Sequence, residues 1–383
     1  MQNDMKLSVA VIEPVGGHGG MNLYDFGLCN GLANAGTRVL LFTCEQTDVP
    51  EDLAFDVHHT YCGIYGADPK ILRAFRYLSG LFKSIRIARR EKINIVHLHF
   101  FHATLLEYLT VRMIKLLGFH IVITAHDVES FVAGASNQYL ETIYKMADRV
   151  VVHNKVSQAQ IIKKARIDEG KTALIPAGHF MDFFVEDETH NQAREKLGLP
   201  LGVPILLFFG QIKQVKGLDL LLQALPGVLE DFPDLKLVIA GKVWKDDFSK
   251  YDELIDRNNL KSAIIKDIRY VPDEQAASYY RAADLVVLPY RRIYQSAVLL
   301  MAMGFGATVV VSDIPGMTEI VVNKVNGYVF KTEDANELTH TLRAALKNPL
   351  RESIGEAGQR TVFEDHDWDM IGQKTSNLYQ SLS

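Results

Sequence analysis

Cysteine is scarce in this chain. Cys29, Cys44 and Cys62 are the only three in 383 residues, they cannot all pair, and their spacing fits no metal-ligand pattern. A disulfide framework is excluded, and a reducing compartment with the thiols packed as small hydrophobes fits best. Charge imbalance is also small: a net −5 gives no overall pull toward nucleic acid. Long apolar runs are missing. The most apolar stretch, Ala297 to Val311, is interrupted by Gly304 and Gly306 and falls short of the ~20 residues a membrane-spanning helix needs. The first apolar run, KLSVAVIEPV, has the length of a strand and lacks the cationic start and small-residue cleavage site of a signal peptide. These absences point to a cytoplasmic protein that does not span a membrane.

What the chain has is bulk and pattern. Hydrophobic residues make up 48% and charged residues 23%, as in a globular protein that folds in water. At this length one core is too few, and two domains are expected. Short apolar runs alternate with longer amphipathic segments. VAVIEP, RVLLFT, INIVHLH, HIVITAH, RVVVHN and TALIPAG are a first set of strand candidates; PILLFFG, KLVIAGK, IIKDIRYV, DLVVLPY, ATVVVSD and GYVF are a second. Most are rich in Val, Ile and Leu without strict alternation, as parallel strands buried on both faces are. With helices between them, each half reads as a doubly wound α/β domain. The polar, acidic segment HFMDFFVEDETHNQAREKLGLP parts the halves, giving domains 1–185 and 186–364. DWDMIGQKTSNLYQSL, within 365–383, reads as one more amphipathic helix. Ligands of open α/β sheets sit beyond the carboxyl ends of the strands, so functional residues are expected just after strands, facing a central cleft.

Unusual residues do follow strands. EPVGGHGGMN sets Gly16, Gly17, Gly19 and Gly20 before a helix that runs to about Asn34. Glycines admit close backbone approach and a helix start offers free N–H groups to an anion; four exceed the need of a tight turn. The dinucleotide fingerprint fails, because Met21 and Asn22 follow Gly17-His18-Gly19 where a third glycine belongs. His18 is either a ligand contact or an exposed turn residue. His126 and Asp127 follow the strand in VITAHDVES, and a histidine there can donate to a phosphate or a sugar hydroxyl. VHLHFFH adds His97, His99 and His102; no cysteine or carboxylate completes a metal set nearby, so structural or pocket-lining roles are favoured over zinc. In FGQIKQVKGLDLLLQAL, Lys213 and Lys216 sit on a strand-to-helix loop where they can neutralise a diphosphate or simply be solvated. LPYRRIYQSAVLLMAMGFG strengthens the first reading. Ser296 is a good N-cap, and the N–H groups of Ala297 and Val298 follow it. Two cations and a helix start together suit a departing diphosphate.

At these residues the chain resembles the glycosyltransferases of family 4, a large retaining group with the GT-B fold. The resemblance rests on GGHGG, TAHD, ADRVVVHN…LIPAGHF, FGQIKQVKGLDLLLQA, YVPDEQAASYYRAADLVVLPY and SDIPGMTEIV…NGYVF, and covers nearly the whole length. It implies two Rossmann-like domains facing a cleft, with the last helix, around Trp368, crossing back onto the first. It implies a nucleotide-sugar donor held mainly by the C-terminal domain and an acceptor held mainly by the N-terminal one. Lys213 and Lys216 take the place of the basic pair on the donor diphosphate. Gly16 and Gly17 correspond to the loop facing the phosphates, and His126 to the histidine near the transferred sugar. Tyr270, Val271 and Pro272 fall where the base pocket lies, and Glu319 is a family-like carboxylate. The usual pair of glutamates is absent: Ile293 and Met301 occupy those places, as in a subgroup with a YQSG-like sequence. Ala177 replaces a histidine in IPAG. No Asp-x-Asp metal motif stands out in VHLHFFH or the cleft loops, so no cofactor or divalent ion is expected.

The expected activity is retaining transfer of a hexose-type sugar from a UDP- or GDP-linked donor to a saccharide or lipid-linked saccharide. A sugar-nucleotide epimerase and a non-catalytic sugar-nucleotide binder are the competing classes; a dehydrogenase is more distant. DPKILRAFRYLSGLFKSIRIARREK (68–92) bears on the acceptor. Its Lys and Arg residues face only Asp68 and Glu91, while Ile71, Phe75, Leu78, Phe82 and Ile85 recur at helical spacing. Either this helix buries its apolar face on the sheet, or it lies on an anionic membrane surface, which would place the protein at the inner face of a membrane.

Overall fold

The computed structural model describes residues 7–17, 21–126, 137–184, 188–244 and 247–382. Thirteen strands form among them. The first sheet holds β1 (Ser8–Ile12), β2 (Arg38–Cys44), β3 (Asp56–Tyr61), β4 (Ile95–Phe100), β5 (His120–Ala125), β6 (Arg149–Val152) and β7 (Thr172–Leu174). The second holds β8 (Ile205–Phe209), β9 (Lys236–Ala240), β10 (Ile264–Asp267), β11 (Leu285–Leu288), β12 (Val309–Ser312) and β13 (Tyr328–Phe330). Their orders are β3-β2-β1-β4-β5-β6-β7 and β10-β9-β8-β11-β12-β13. Every pairing between these strands is parallel.

Two-faced burial explains why the strands read as unbroken apolar runs. In the second sheet Leu206 and Phe208 enter one core cluster, and Ile205 and Leu207 the other. Leu237 and Ile239 divide the same way from Val238 and Ala240. Each face is covered by helices, so both sets of side chains leave water. β3 is the strand that apolar runs do not reveal. It is the polar sequence DVHHTY at a sheet edge, with only its last two residues buried.

The chain divides into two compact units: residues Met1–Gly178 with His366–Ser383, and residues His179–Asp365. The last helix, Trp368–Gln380, therefore belongs with the first sheet. Asp367 caps it by accepting the Met370 N–H at 2.9 Å. It packs on the helix Met21–Asn34, where Gly31 and Gly372 meet so closely that a Cβ on either would overlap the other helix's backbone. Within each unit the strand order reverses beside one strand, next to β1 in the first and β8 in the second. The crevice at such a switch point is where open α/β sheets hold ligands.

Candidate active site

In the second unit the switch point lies between β8 and β11. The loop from Gly210 to Gly217 leaves β8 and carries Lys213 and Lys216. Gly217 adopts φ 69°, and a Cβ there would overlap the Pro289 carbonyl at the end of β11. Only glycine permits both. Arg291 clamps the loop from the other side. Its backbone N–H donates to the Val215 carbonyl at 2.9 Å, and Nη1 donates to the Gln214 carbonyl at 2.8 Å. The guanidinium also pairs with Asp219 in a fork, at 2.8 and 2.7 Å, and with Glu333 at 2.8 Å.

The two ammonium groups of this loop lie close enough for their charges to interact. Lys216 is half-buried, with Nζ 3.6 Å from the centre of the buried Tyr290 ring. Lys213 Nζ lies 5.1 Å from the Trp244 ring centre. Desolvation, then the charge on Lys213, push the Lys216 ammonium down to about 7. Among the described residues no carboxylate contributes to that balance, so an added anion would restore the charged form.

The helix Ala297–Gly304 begins beside this loop: a Cβ on Gly210 would come within 3.2 Å of Val298 Cγ2. Ser296 is buried, and its hydroxyl accepts the Leu299 N–H at 3.2 Å. The cap thus uses the third amide of the helix and leaves those of Ala297 and Val298 for another acceptor. Ile293 and Met301 are partly buried against the core. Val271 is also core, at 7% exposure, while Tyr270 beside it is 65% exposed. The Val271 side chain is therefore turned into the core and the Tyr270 side chain toward solvent. Glu319 is exposed at the end of the short helix Pro315–Thr318. That helix abuts the 293–294 backbone through Gly316.

The first unit gathers imidazoles at the ends of adjacent strands. His97 and His99 lie in β4, His126 follows β5, and His153 follows β6. His97 is held by Tyr379 Oη at 2.6 Å and Thr124 Oγ1 at 2.7 Å. His153 Nδ1 lies 2.9 Å from the Ile175 carbonyl, so that nitrogen carries the proton. His126 is half-buried; its ring stacks on Phe101 at 4.7 Å and meets Tyr24 edge-on at 4.8 Å. Burial lowers all four rings: His97 to about 3, His153 to about 4, and His99 and His126 well below the usual range. They are neutral at pH 7. Among the described residues no group of three or more His, Cys, Asp or Glu side chains is placed to hold a metal ion.

Two buried acids complete this region, and the sequence motifs did not reveal their role. Glu13, which follows β1, accepts the Val15 N–H at 3.1 and 2.9 Å. Burial pushes its carboxyl up to about 8, against the N–H groups of Val15 and Gly16. Asp25, on the helix Met21–Asn34, is raised by burial and by Glu13. A charged residue ending an apolar strand, as in VAVIEP, is the signal that could have found Glu13. Gly16 is buried, and a Cβ there would overlap the Thr47 side chain; close packing against its own chain accounts for that glycine. Gly17 is exposed, with its backbone against Gln46. His18, Gly19, Gly20 and Asp127 lie outside the described residues. Glu45 is engaged locally, accepting the Gly63 N–H at 2.8 Å.

A family model described as Glycosyltransferase Family 4 matches residues 18–179, and one described as Glycosyl transferases group 1 matches residues 189–361. The chain belongs to this family of glycosyl transferases. A D-inositol 3-phosphate glycosyltransferase of Streptosporangium roseum is 23% identical, over 95% of this chain and 88% of its own length. One of Streptomyces avermitilis is 25% identical, over 95% and 83%. Among solved structures, sucrose-phosphate synthase from Thermosynechococcus elongatus superposes with a TM-score of 0.75 at 22% identity, covering 98% of this chain and 99% of that one. Anabaena HepE, in complex with UDP, gives 0.75 at 18% identity, covering 98% and 100%. These likenesses establish the GT-B fold: two parallel sheets, each layered with helices.

Proposed function

We propose that this glycosyltransferase moves a hexose-type sugar, with retention, from a UDP- or GDP-linked donor to a saccharide or lipid-linked saccharide. The observation that carries the reading is the second unit's cation site. A half-buried ammonium, a second lysine and two uncommitted helix amides stand at the switch point of a parallel sheet. HepE, which shares the fold, is known in complex with UDP and with UDP-glucose. In this reading residues 186–364 bind the donor, residues 1–185 bind the acceptor, and the last helix, within 365–383, supports the first unit.

The chemistry needs no protein nucleophile. The bond from the anomeric carbon to the diphosphate breaks, and its electron pair leaves on the phosphate oxygen. The acceptor hydroxyl oxygen bonds to the same face of the sugar and gives its proton to that phosphate oxygen. Lys213, Lys216 and the amides of Ala297 and Val298 stabilise the departing charge. His126 orients the sugar, Gly17 offers a backbone amide, and Tyr270 with the Val271 backbone borders the base. Glu319 is the carboxylate left to accept from a donor hydroxyl. A divalent ion has no assigned part.

A membrane surface fits the acceptor side. The helix Lys70–Arg90 buries Leu81, Ser84, Ile85 and Ala88, yet leaves Ile71, Phe75 and Phe82 at 87%, 70% and 60% exposure. Tyr77 packs on Tyr61 of β3, but Ile71, Phe75 and Phe82 are not used to cover the sheet. Basic residues flank them. Such a face suits an anionic lipid surface and a lipid-linked acceptor. Among the described residues no helix is long and apolar enough to cross a membrane.

One observation favours a second reading, donor binding without transfer: Ile293 and Met301 cannot accept from a sugar hydroxyl. A panel of nucleotide sugars separates the two. Thermal stabilisation by UDP or GDP with slow nucleoside diphosphate release from one donor supports transfer. Stabilisation without release supports the binder, epimerised donor supports an epimerase, and no stabilisation by any nucleotide ends the reading.

A further inference from the structure

We infer that His99 is a positioning residue that fixes the proton of the His126 imidazole on Nδ1. This rests on the reading of His126 as the residue that orients the sugar. His99 is 4% exposed and lies behind half-buried His126. Its Nδ1 stands 3.2 Å from His126 Nε2 and 3.8 Å from Asp25 Oδ1. Its Nε2 is buried and has no hydrogen-bond partner among the described residues.

Those contacts decide where the single proton of neutral His99 sits. On Nε2 it would be a buried N–H with no acceptor among the described residues. On Nδ1 it donates to His126 Nε2. The unsatisfied group is then only a lone pair on Nε2. His126 Nε2 must accept, so neutral His126 carries its own proton on Nδ1. Its remaining nitrogen is therefore a donor, suited to a sugar oxygen or a phosphate oxygen and not to a hydroxyl proton. Asp25 lies behind His99 as a buried carboxyl whose two oxygens have no hydrogen-bond partner among the described residues.

The test reads the tautomer directly. Protein carrying ¹⁵N-labelled histidine is examined by nitrogen–proton correlation spectra, with His126 assigned by comparison with His126→Ala. Wild type should show a protonated Nδ1 and an unprotonated Nε2 for His126. His99→Phe keeps the ring volume and removes the donor; His126 should then shift toward protonation at Nε2. Turnover of UDP-glucose or GDP-mannose, whichever the donor panel shows to react, should fall about three- to tenfold with KM held. His99→Gln retains an N–H donor and should keep both wild-type values. A protonated Nε2 in wild-type His126, or an unmoved His126 spectrum in His99→Phe, overturns the inference. So does an altered tautomer with unaltered turnover. UDP and GDP stabilisation, read in parallel, depends on the lysines of the second unit and reports on the proposed function by itself. If His99→Phe does not fold, the wild-type spectrum still decides the tautomer.

Discussion

The two units hold polar groups at the same place in their sheets and treat them in opposite ways. The second unit concentrates positive charge in partial contact with water: Lys213, half-buried Lys216 and the start of the helix Ala297–Gly304. The first unit buries its ionisable groups and neutralises them, lowering four imidazoles and raising two carboxyls. A charged site costs folding energy and repays it when an anion arrives. A neutral hydrogen-bonding site selects by donor and acceptor geometry. On the proposed reading, the second unit supplies electrostatic stabilisation and the first supplies orientation.

The sharpest way to break that contrast is Lys216→Ala. Losing one group that stabilises a departing charge typically costs ~2.7–4 kcal/mol of barrier, or about 100- to 1,000-fold in rate. The fold should survive, because among the described residues Lys216 has no carboxylate partner to strand. Unchanged kcat/KM for the reacting donor would remove charge stabilisation from the second unit. Arg291→Ala comes next. It frees the lysine loop by deleting contacts to Asp219, Glu333 and the Gln214 carbonyl. Hydrogen bonds to charged groups contribute about 1.5–3 kcal/mol each at most. A lower Tm and a donor KM raised about tenfold are expected. A donor KM equal to wild type would mean that the clamp does not position the lysines.

Much of the second unit was legible because its candidate site comes in two short segments, 210–217 and 291–298, each marked locally. Lys213 and Lys216 are three residues apart, and Ser296 announces its own cap. All twelve apolar runs chosen from the sequence became strands; most are buried on both faces and so stay apolar, while β7 and β10 are only partly buried and β4 carries two histidines. β3 escaped because an edge strand tolerates DVHHTY. The first unit was harder for the same physical reason in reverse. His97 and His99 share a face by simple alternation, but their meeting with His126, His153 and Tyr379 depends on the order β4-β5-β6 and on the return of the last helix. Asp25 lies in a helix of mostly apolar pattern, and nothing local marks it as buried beside Glu13. Arg291 was one of two neighbouring arginines, and only the fold shows which one clamps the loop.

Acidity sharpens the contrast with a smaller effect. The Lys216 pKa, near 7 in the folded protein, lies below the unfolded lysine value of about 10.4. Between those values the unfolded chain holds a proton that the folded chain has released. This group's contribution to stability is therefore least favourable below about 7 and improves with rising pH through that window. Affinity for UDP or GDP should run the other way, weakening as pH climbs through about 7 while Lys216 loses its charge. Binding below saturation should take up protons, measurable by calorimetry in buffers of different ionisation heat. Lys216→Arg, which stays charged, should flatten the profile. A wild-type affinity independent of pH from 6 to 9 would place the anion away from Lys216.

The smallest effect on the isolated protein is expected where a side chain touches least. Phe75→Ser and Ile71→Ser alter exposed positions of the helix Lys70–Arg90, so stability should change by no more than about 0.5 kcal/mol. Their consequence belongs to lipid. Each Lys or Arg near an anionic surface adds ~1 kcal/mol of attraction, which salt screens, and inserted apolar side chains add a part that salt does not remove. Cosedimentation with phosphatidylserine vesicles should therefore be strong at low salt, weaker at high salt, and reduced at both by the paired serine substitutions. Binding that vanishes at high salt and ignores Phe75 and Ile71 would leave only a basic surface. No binding at low salt would return this helix to ordinary solvent exposure and remove the lipid from the acceptor.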